Sequence, residues 1–474
     1  MRQPESLASP TPGSANPGSP TPGSASPGSA SPGSASPGSA SPGSANPGSA
    51  NPGSANPGSA NGGSANGGSA RLATARPDTS HAGAGLDSGR AGLPLSPRAA
   101  TWVPSVPGIL TADQILATGS SIAAVQHADG GIGWPDGHVD AWNHVECAMA
   151  LTACGLRVAA RRGYEWLRAT QRPDGSWPKL AASGAVIEDA VESNHAAYPA
   201  VGVWHELLVS RDDAFAQRMW PVVRKGIEFA LGLQQPRGEI IWRRRPGGAP
   251  ASFALLTGSS SMHHALRCAI ALAEYIGEPQ PDWELAAGQL GHAVACHPEA
   301  FADKSLFSMD WYYPVLGGPL RGRAADRRLA AGWDTFVVPG LGVRCVSDQP
   351  WVTGAETCEL ALALDAIGDH SRALDLFDHM QHLRGPDGGY WTGWQYANRR
   401  HFPNEQSSWT AAAVILAADA LSGATSGSGI FAAAAPRWAV GSPVDAAACG
   451  CETPQAGRAP AVSADPLPGP FQDP

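Results

Sequence analysis

Acidic, aromatic and imidazole side chains recur at short spacing at several points between Asp140 and Trp409 of this 474-residue chain. Asp140, Trp142, Asn143, His144 and Glu146 form one group, and Glu192, Asn194 and His195 another. Later come Asp310 followed by Trp311, Tyr312 and Tyr313, then Glu356 with Glu359, and finally Glu405 with Trp409. Carboxyl groups beside aromatic rings lose hydration and hold their protons to higher pH, which suits a general acid. Rings interleaved with such acids can also carry an apolar sugar face or stabilise a cation. On this reading Asp310, Glu356 and Glu405 are the catalytic carboxylates. Asp140, Trp142, Asn143, Glu146, Glu192, Asn194, His195, Trp311, Tyr312, Tyr313 and Trp409 bind the substrate. Asp310 carries the strongest local argument, because Pro314 is expected to cut its helix short and leave a loop able to reach inward. Part of the polarity has a plainer purpose, since Asp, Ser, Thr and Asn cap helices and acids near an N-terminus suit the helix dipole.

These groups fall at the starts of apolar segments with helical periodicity. The spacing predicts helices near 140–155, 189–209, 258–277, 308–316, 354–368 and 405–422, and the site residues open them. A second set, near 111–126, 157–171, 213–234, 282–297, 322–333 and 370–384, alternates with the first. Short connections make each neighbouring pair an antiparallel hairpin. The expected fold class is therefore all-α: six helical hairpins closed into an (α/α)6 toroid, with the site at the mouth of its central cavity.

A repeat supports this arrangement. Arg162-Gly-Tyr-Glu-Trp-Leu167 leads to Gln171 and then Asp174-Gly-Ser-Trp177. Lys225-Gly-Ile-Glu-Phe229 leads to Gln234, Gly238 and Trp242, and Arg372-Ala-Leu-Asp-Leu-Phe377 leads to Gln381 and Asp387-Gly-Gly-Tyr-Trp391. A weaker copy holds Gln126, Gly130 and Trp134. Glycine after the last turn accepts the left-handed conformation that ends a helix, and Gln can bond the backbone groups left open there. These residues resemble the QW motif of the squalene-cyclase and prenyltransferase superfamily. That resemblance implies a terpenoid-cyclase-like or prenyltransferase-type enzyme, a transferase or cyclase acting on an isoprenoid in the central cavity. The superfamily's protonating Asp-x-Asp-Asp motif has no copy here, and Asp348 and Cys358 do not reproduce the zinc-ligand pattern of the protein prenyltransferases. No metal ligands or cofactor are identifiable, although a divalent metal stays open.

Two alternatives remain. Glu405-Gln406 followed by Trp409-Thr410, and Met219-Trp-Pro221 with Ile241-Trp242, look similar to six-hairpin glycosidases, which imply two carboxylates and aromatic sugar platforms. Where that group places an acid after the Trp, Arg243-Arg244-Arg245 stands here. The third reading is a toroid that binds without catalysis. The substrate is thus a small molecule, isoprenoid or carbohydrate.

Composition bounds the rest. The net charge of −9 disfavours a nucleic-acid partner, which calls for a basic face. No apolar run approaches the length of a membrane span, and the N-terminus lacks a signal-peptide core, so a cytoplasmic location is expected. From Thr11 to Ala70 a five-residue Ser/Asn-Pro-Gly-Ser-Ala unit recurs, and the first hundred residues contain none of the 16 tryptophans. Such a segment cannot bury enough apolar surface to offset the entropy of ordering it. The expected organisation is a disordered low-complexity tail over 1–103, the helical domain over 104–424, and a loose Pro/Ala/Gly-rich tail over 425–474.

Overall fold

The structure is a computed structural model and describes residues 103–182, 184–245 and 248–432. Helices account for 57% of the described residues, which makes the body mostly helical. In chain order they are α1 (Ala112–Ala124), α2 (Ala141–Ala153), α3 (Arg157–Thr170), α4 (Ser193–Ala197), α5 (Pro199–Ser210), α6 (Asp213–Leu231) and α7 (Leu256–Ile276). There follow α8 (Pro281–Cys296), α9 (Ser308–Leu316), α10 (Gly322–Phe336), α11 (Gly354–Ala366), α12 (His370–His379) and α13 (Ser408–Ser422). Helices α2, α5, α7, α9, α11 and α13 each pack on the next, and α13 packs back on α2, so they form a ring. Helices α1, α3, α6, α8, α10 and α12 lie outside them.

Burial separates the two layers. Every residue of α2 is buried, and α11 is buried on all faces except at Asp365. Helix α3 buries only Ala160, Gly163, Tyr164, Trp166 and Leu167, one stripe of an amphipathic helix. A helix apolar all round needs neighbours on every side, and the ring supplies them.

The Gln–Gly–aromatic units are clamps between successive outer helices. Gln126 Nε2 donates to Gly130 O at 2.9 Å and to Ala159 O at 3.0 Å. Gln171 bonds Gly175 O and Val222 O in the same way, and Gln234 bonds Gly238 O and Ala286 O. Each therefore closes its own turn and grips the next outer helix. Gly175 (φ +92) and Gly238 (φ +107) sit in the left-handed region, where a methyl group would also collide with the backbone carbonyls of Lys225 and Gln289. Trp177 is 1% exposed and donates to Leu167 O at 3.2 Å. In the last unit Tyr390 is the buried ring and donates to Gln381 Oε1 at 2.7 Å, while Trp391 instead stacks on His401 at 4.3 Å.

Several expectations need correcting. The body is not all-α. The connections that run from outer helices into inner ones pair with each other as short strands, including a five-stranded antiparallel sheet over Val337–Val338, Gly342–Arg344, Trp351–Thr353, Gly393–Gln395 and Arg400–His401. The helix expected over 189–209 is two helices, and Pro199 opens the second. Pro314 lies inside α9 and the helix runs on to Leu316, so no inward loop begins there. Residues beyond 424 are not loose at first: Thr425 donates to Asp419 Oδ2 at 2.6 Å, Ser426 bonds Leu208 O, and Phe431 stacks on His264. The repeat tail and the residues after 432 lie outside the described residues. No described helix is long and apolar enough to cross a membrane.

Candidate active site

Asp140 is the N-cap of α2, and its carboxylate accepts three N–H groups: Asn143 N at 2.9 Å, Asn143 Nδ2 at 2.6 Å and Trp134 Nε1 at 2.8 Å. The same Trp134 ring meets Trp409 from the first turn of α13, with centroids 5.6 Å apart, and stacks on His138. On the other side of Asp140, His195 Nε2 lies 3.8 Å from its Oδ1 and 3.4 Å from Glu192 Oε2. Burial raises the pKa of Glu192, partly offset by His195 and Lys179. Helices α2 and α4 thus bring Asp140, Asn143, Glu192 and His195 into one polar cluster.

Glu356 stands in the first turn of α11 and is 3% exposed. Burial raises its pKa, with the Cys345 thiol as the main opposing influence, and its Oε2 has no hydrogen-bond partner. A buried carboxyl that tends to keep its proton and has a free oxygen is equipped to donate that proton. Other buried polar atoms at these helix starts also lack partners: Asn143 Oδ1, both side-chain atoms of Asn194, and Trp409 Nε1. Buried polar groups are nearly always bonded, so these atoms stand ready to bond water or a ligand.

Asp310 opens α9, and Thr257 at the start of α7 takes its Oδ1 through its hydroxyl at 2.6 Å. Burial raises the pKa of Asp310, against the hydrogen bonds from Thr257. Glu405 is half-buried and lies ahead of α13, whose N-cap is Ser407; its Oε1 accepts from Thr392 Oγ1 at 3.4 Å. Its pKa is raised by burial, opposed chiefly by that bond, while Asp136 adds to the rise.

Below these groups the ring is closed by a floor. Trp142 stacks on Tyr198 at 4.6 Å and meets Tyr313 of α9, across the ring, at 6.2 Å. Trp142 Nε1 and Tyr198 OH donate to Glu146 Oε1 at 3.1 and 2.8 Å. Tyr312 and Tyr313 donate to Glu359 at 2.7 and 2.5 Å. Burial, and next the nearby Glu146, push the pKa of Glu359 well up. The structure therefore places Trp142, Glu146, Tyr312 and Tyr313 in the floor. Trp311 faces the other way: it donates to Arg328 O at 2.7 Å and stacks on Phe336 of α10 at 5.3 Å. Its expected place in the cavity is corrected, because three consecutive helical residues span about 200° and cannot all face one side. Tyr198 and Thr257 were not singled out in the sequence, although Tyr198 lies one helical turn after Asn194. Of the arginine run, Arg244 pairs with Asp174 and lies over the Phe229 ring. An open groove of about 620 Å³ beside α8, lined by Pro236, Arg237 and His292, lies on the outer layer and carries none of these acids.

No family model matches the sequence. A curated relative does: the MMP endo-(1,4)-3-O-methyl-alpha-D-mannosidase of Mycolicibacterium hassiacum is 57% identical over 330 residues, covering 69% of this chain and 92% of the relative. The chain belongs to that mannosidase family. Solved structures with the same fold agree on architecture. A glycosidase matches with TM-score 0.53 at 12% identity, over 66% of this chain and 98% of that one, and a glycosidase in complex with glucose matches with TM-score 0.52 over the same shares. These findings overturn the isoprenoid reading. The Gln–Gly–Trp units that suggested a prenyltransferase or terpenoid cyclase are clamps between neighbouring outer helices, a need common to any ring of hairpins. As a member of this family the protein is an enzyme of glycoside-hydrolase type, and the glycosidase alternative replaces the cyclase.

Proposed function

We propose that this protein is an endo-acting α-mannosidase that cleaves (1,4) linkages between 3-O-methylated mannose units. The observation that carries this reading is the 57% identity, which extends over nearly the whole length of the relative. The catalytic unit in this reading is an (α/α)6 toroid over residues 104–432, with the low-complexity repeat tail before it and the Pro/Ala/Gly-rich residues after it. A cytoplasmic setting suits the six cysteines of the described residues, none of which is in a disulfide.

Hydrolysis of this kind uses two carboxyl groups. Glu356 acts as general acid: its carboxyl protonates the glycosidic oxygen as the bond to the anomeric carbon breaks. Asp140 is the partner carboxylate, fixed by its three N–H donors, and it serves the anomeric carbon from the other face. Whether it activates water or forms the bond itself is read from the anomer first released, followed by NMR. Trp134 and Trp409 offer ring faces to the sugar. The unpartnered Asn194 Nδ2 and Trp409 Nε1 donate to its hydroxyl or ether oxygens, and Asn143 Oδ1 and Asn194 Oδ1 accept from its hydroxyls. Asp310 and Glu405 bind substrate from the ring positions of α9 and α13.

The test is incubation with a (1,4)-linked 3-O-methyl-α-D-mannan of defined length. Internal cleavage by the parent, abolished in Glu356→Gln and Asp140→Asn and retained in large part in Asp310→Asn, is expected. A parent that releases no shorter chains overturns the assignment.

A further inference from the structure

A hairpin formed by Leu180–Ala182 and Ala185–Glu188 stands beside the acid cluster. Its first strand bonds Val139, the residue before Asp140, through Val139 N to Ala181 O at 2.6 Å and Ala181 N to Val139 O at 2.9 Å. Its second strand runs on to Glu192 within four residues. The hairpin is thus anchored on both sides to acids of the candidate site. Lys179 and Glu188 pair across its base at 2.7 Å.

The composition of this hairpin is unlike that of the cavity it borders. From Leu180 to Ile187 Ser183 is the one polar side chain. Six large hydrophobic side chains are exposed among the described residues, and only Val186 (53%) and Ile187 (58%) are neighbours in sequence. Ala181 pairs with Val186 and Leu180 with Glu188, so Ile187 is the extra residue of a bulge. A bulge interrupts the strict alternation of side chains and re-aims them, which frees Val186 and Ile187 from facing opposite ways. An aliphatic edge gives nothing to a free sugar hydroxyl. It suits a methyl ether, which has lost its donor and gained an apolar cap.

We propose that Val186 and Ile187 read the O-methyl groups of the polysaccharide next to the cleavage site, and so set the preference for methylated over unmethylated mannan. This rests on the mannosidase reading. Each methyl group taken out of water adds about fourfold to binding, so two such contacts amount to about fifteenfold.

The experiment compares kcat/KM of the full chain and of Val186→Ser/Ile187→Ser on (1,4)-linked α-mannooligosaccharides of equal length, 3-O-methylated and unmethylated. The expected result is a methylated-to-unmethylated ratio lowered by about fifteenfold in the variant, with an unchanged melting temperature. The more conservative Ile187→Thr, expected to lower the ratio by about fourfold, gives the same reading if the double variant folds poorly. An unchanged ratio, or an equal loss on both ligands, overturns the proposal. A parent that cleaves neither ligand overturns the mannosidase reading itself, and the hairpin proposal falls with it.

Discussion

Trp134 holds Asp140 and meets Trp409 with one ring: its indole N–H reaches Asp140 Oδ2 at 2.8 Å while its ring centroid lies 5.6 Å from that of Trp409, the planes tilted by 43°. One side chain therefore sets the direction of an acid and forms part of the surface on which a sugar would rest. Trp134→Phe separates these duties, because the ring face stays and the N–H goes. A hydrogen bond to a charged group is worth about 1.5–3 kcal/mol, so kcat/KM on the methylated mannan should fall by about 10- to 100-fold. An unchanged kcat/KM would show that the ring face, not the bond to Asp140, is what matters.

Glu356→Gln keeps the shape of the side chain and removes the proton to be donated. Turnover should drop by at least about a hundredfold with the melting temperature retained. Since burial raises the pKa of Glu356, the parent keeps its acid form to higher pH than an exposed glutamate would. Activity should then be lost as pH rises through that raised value. An alkaline limb of kcat/KM unaltered by substitutions around Glu356, such as Cys345→Ala, would assign the limb to another group.

His144 links stability to acid. It is fully buried, its Nδ1 accepts from Ile132 N at 3.0 Å, and its Nε2 bonds Gly163 O at 2.9 Å. Desolvation lowers its pKa to about 4, so it is neutral in the fold and takes a proton more readily once unfolded. The contribution of neutral His144 is present above pH 6.5 and lost as pH falls from there to about 4. That shift corresponds to about 3 kcal/mol as an upper figure. Denaturant unfolding of the parent and of His144→Gln across this window should show a difference that shrinks with acid. A constant difference would count against the lowered pKa.

Trp177→Ala should cost about 3–5 kcal/mol, the usual penalty for truncating a fully buried large side chain. Trp391→Ala should cost much less stability, because Tyr390 fills the equivalent buried place in its unit. Equal losses in the two variants, measured by thermal melting, would refute this contrast.

The helices and their alternation were legible because each outer helix shows an apolar stripe, and because Gln126, Gln171 and Gln234 mark the ends of three of them. The same units misled on chemistry. Gln171 and Trp177 solve a packing problem, and a packing solution carries no information about which bond is cut. The positions of the acids at helix starts were legible; which of them meet was not. Asp140 and Glu192 come together through His195 only when α2 and α4 pack, and Glu146 approaches Glu359 only across the ring. Trp134 escaped notice as a site residue because it belongs to a clamp-like unit. Trp311 was misassigned because sequence gives the order of side chains along a helix and not the rotation of that helix.

One contact carries a consequence for how the body comes apart. Thr118 of α1 donates to Gly388 O at 2.8 Å, and Gly388 (φ +90) rests against the Ala117 backbone, so the last clamp grips the first outer helix. An open stack of repeats frays from its first and last members, which have a neighbour on one side only. Here α1 and α12 have neighbours on both sides, and no repeat is terminal. Amide exchange in α1 should be as slow as in α3, and opening should be an all-or-none event of the whole ring instead of an unravelling from one end.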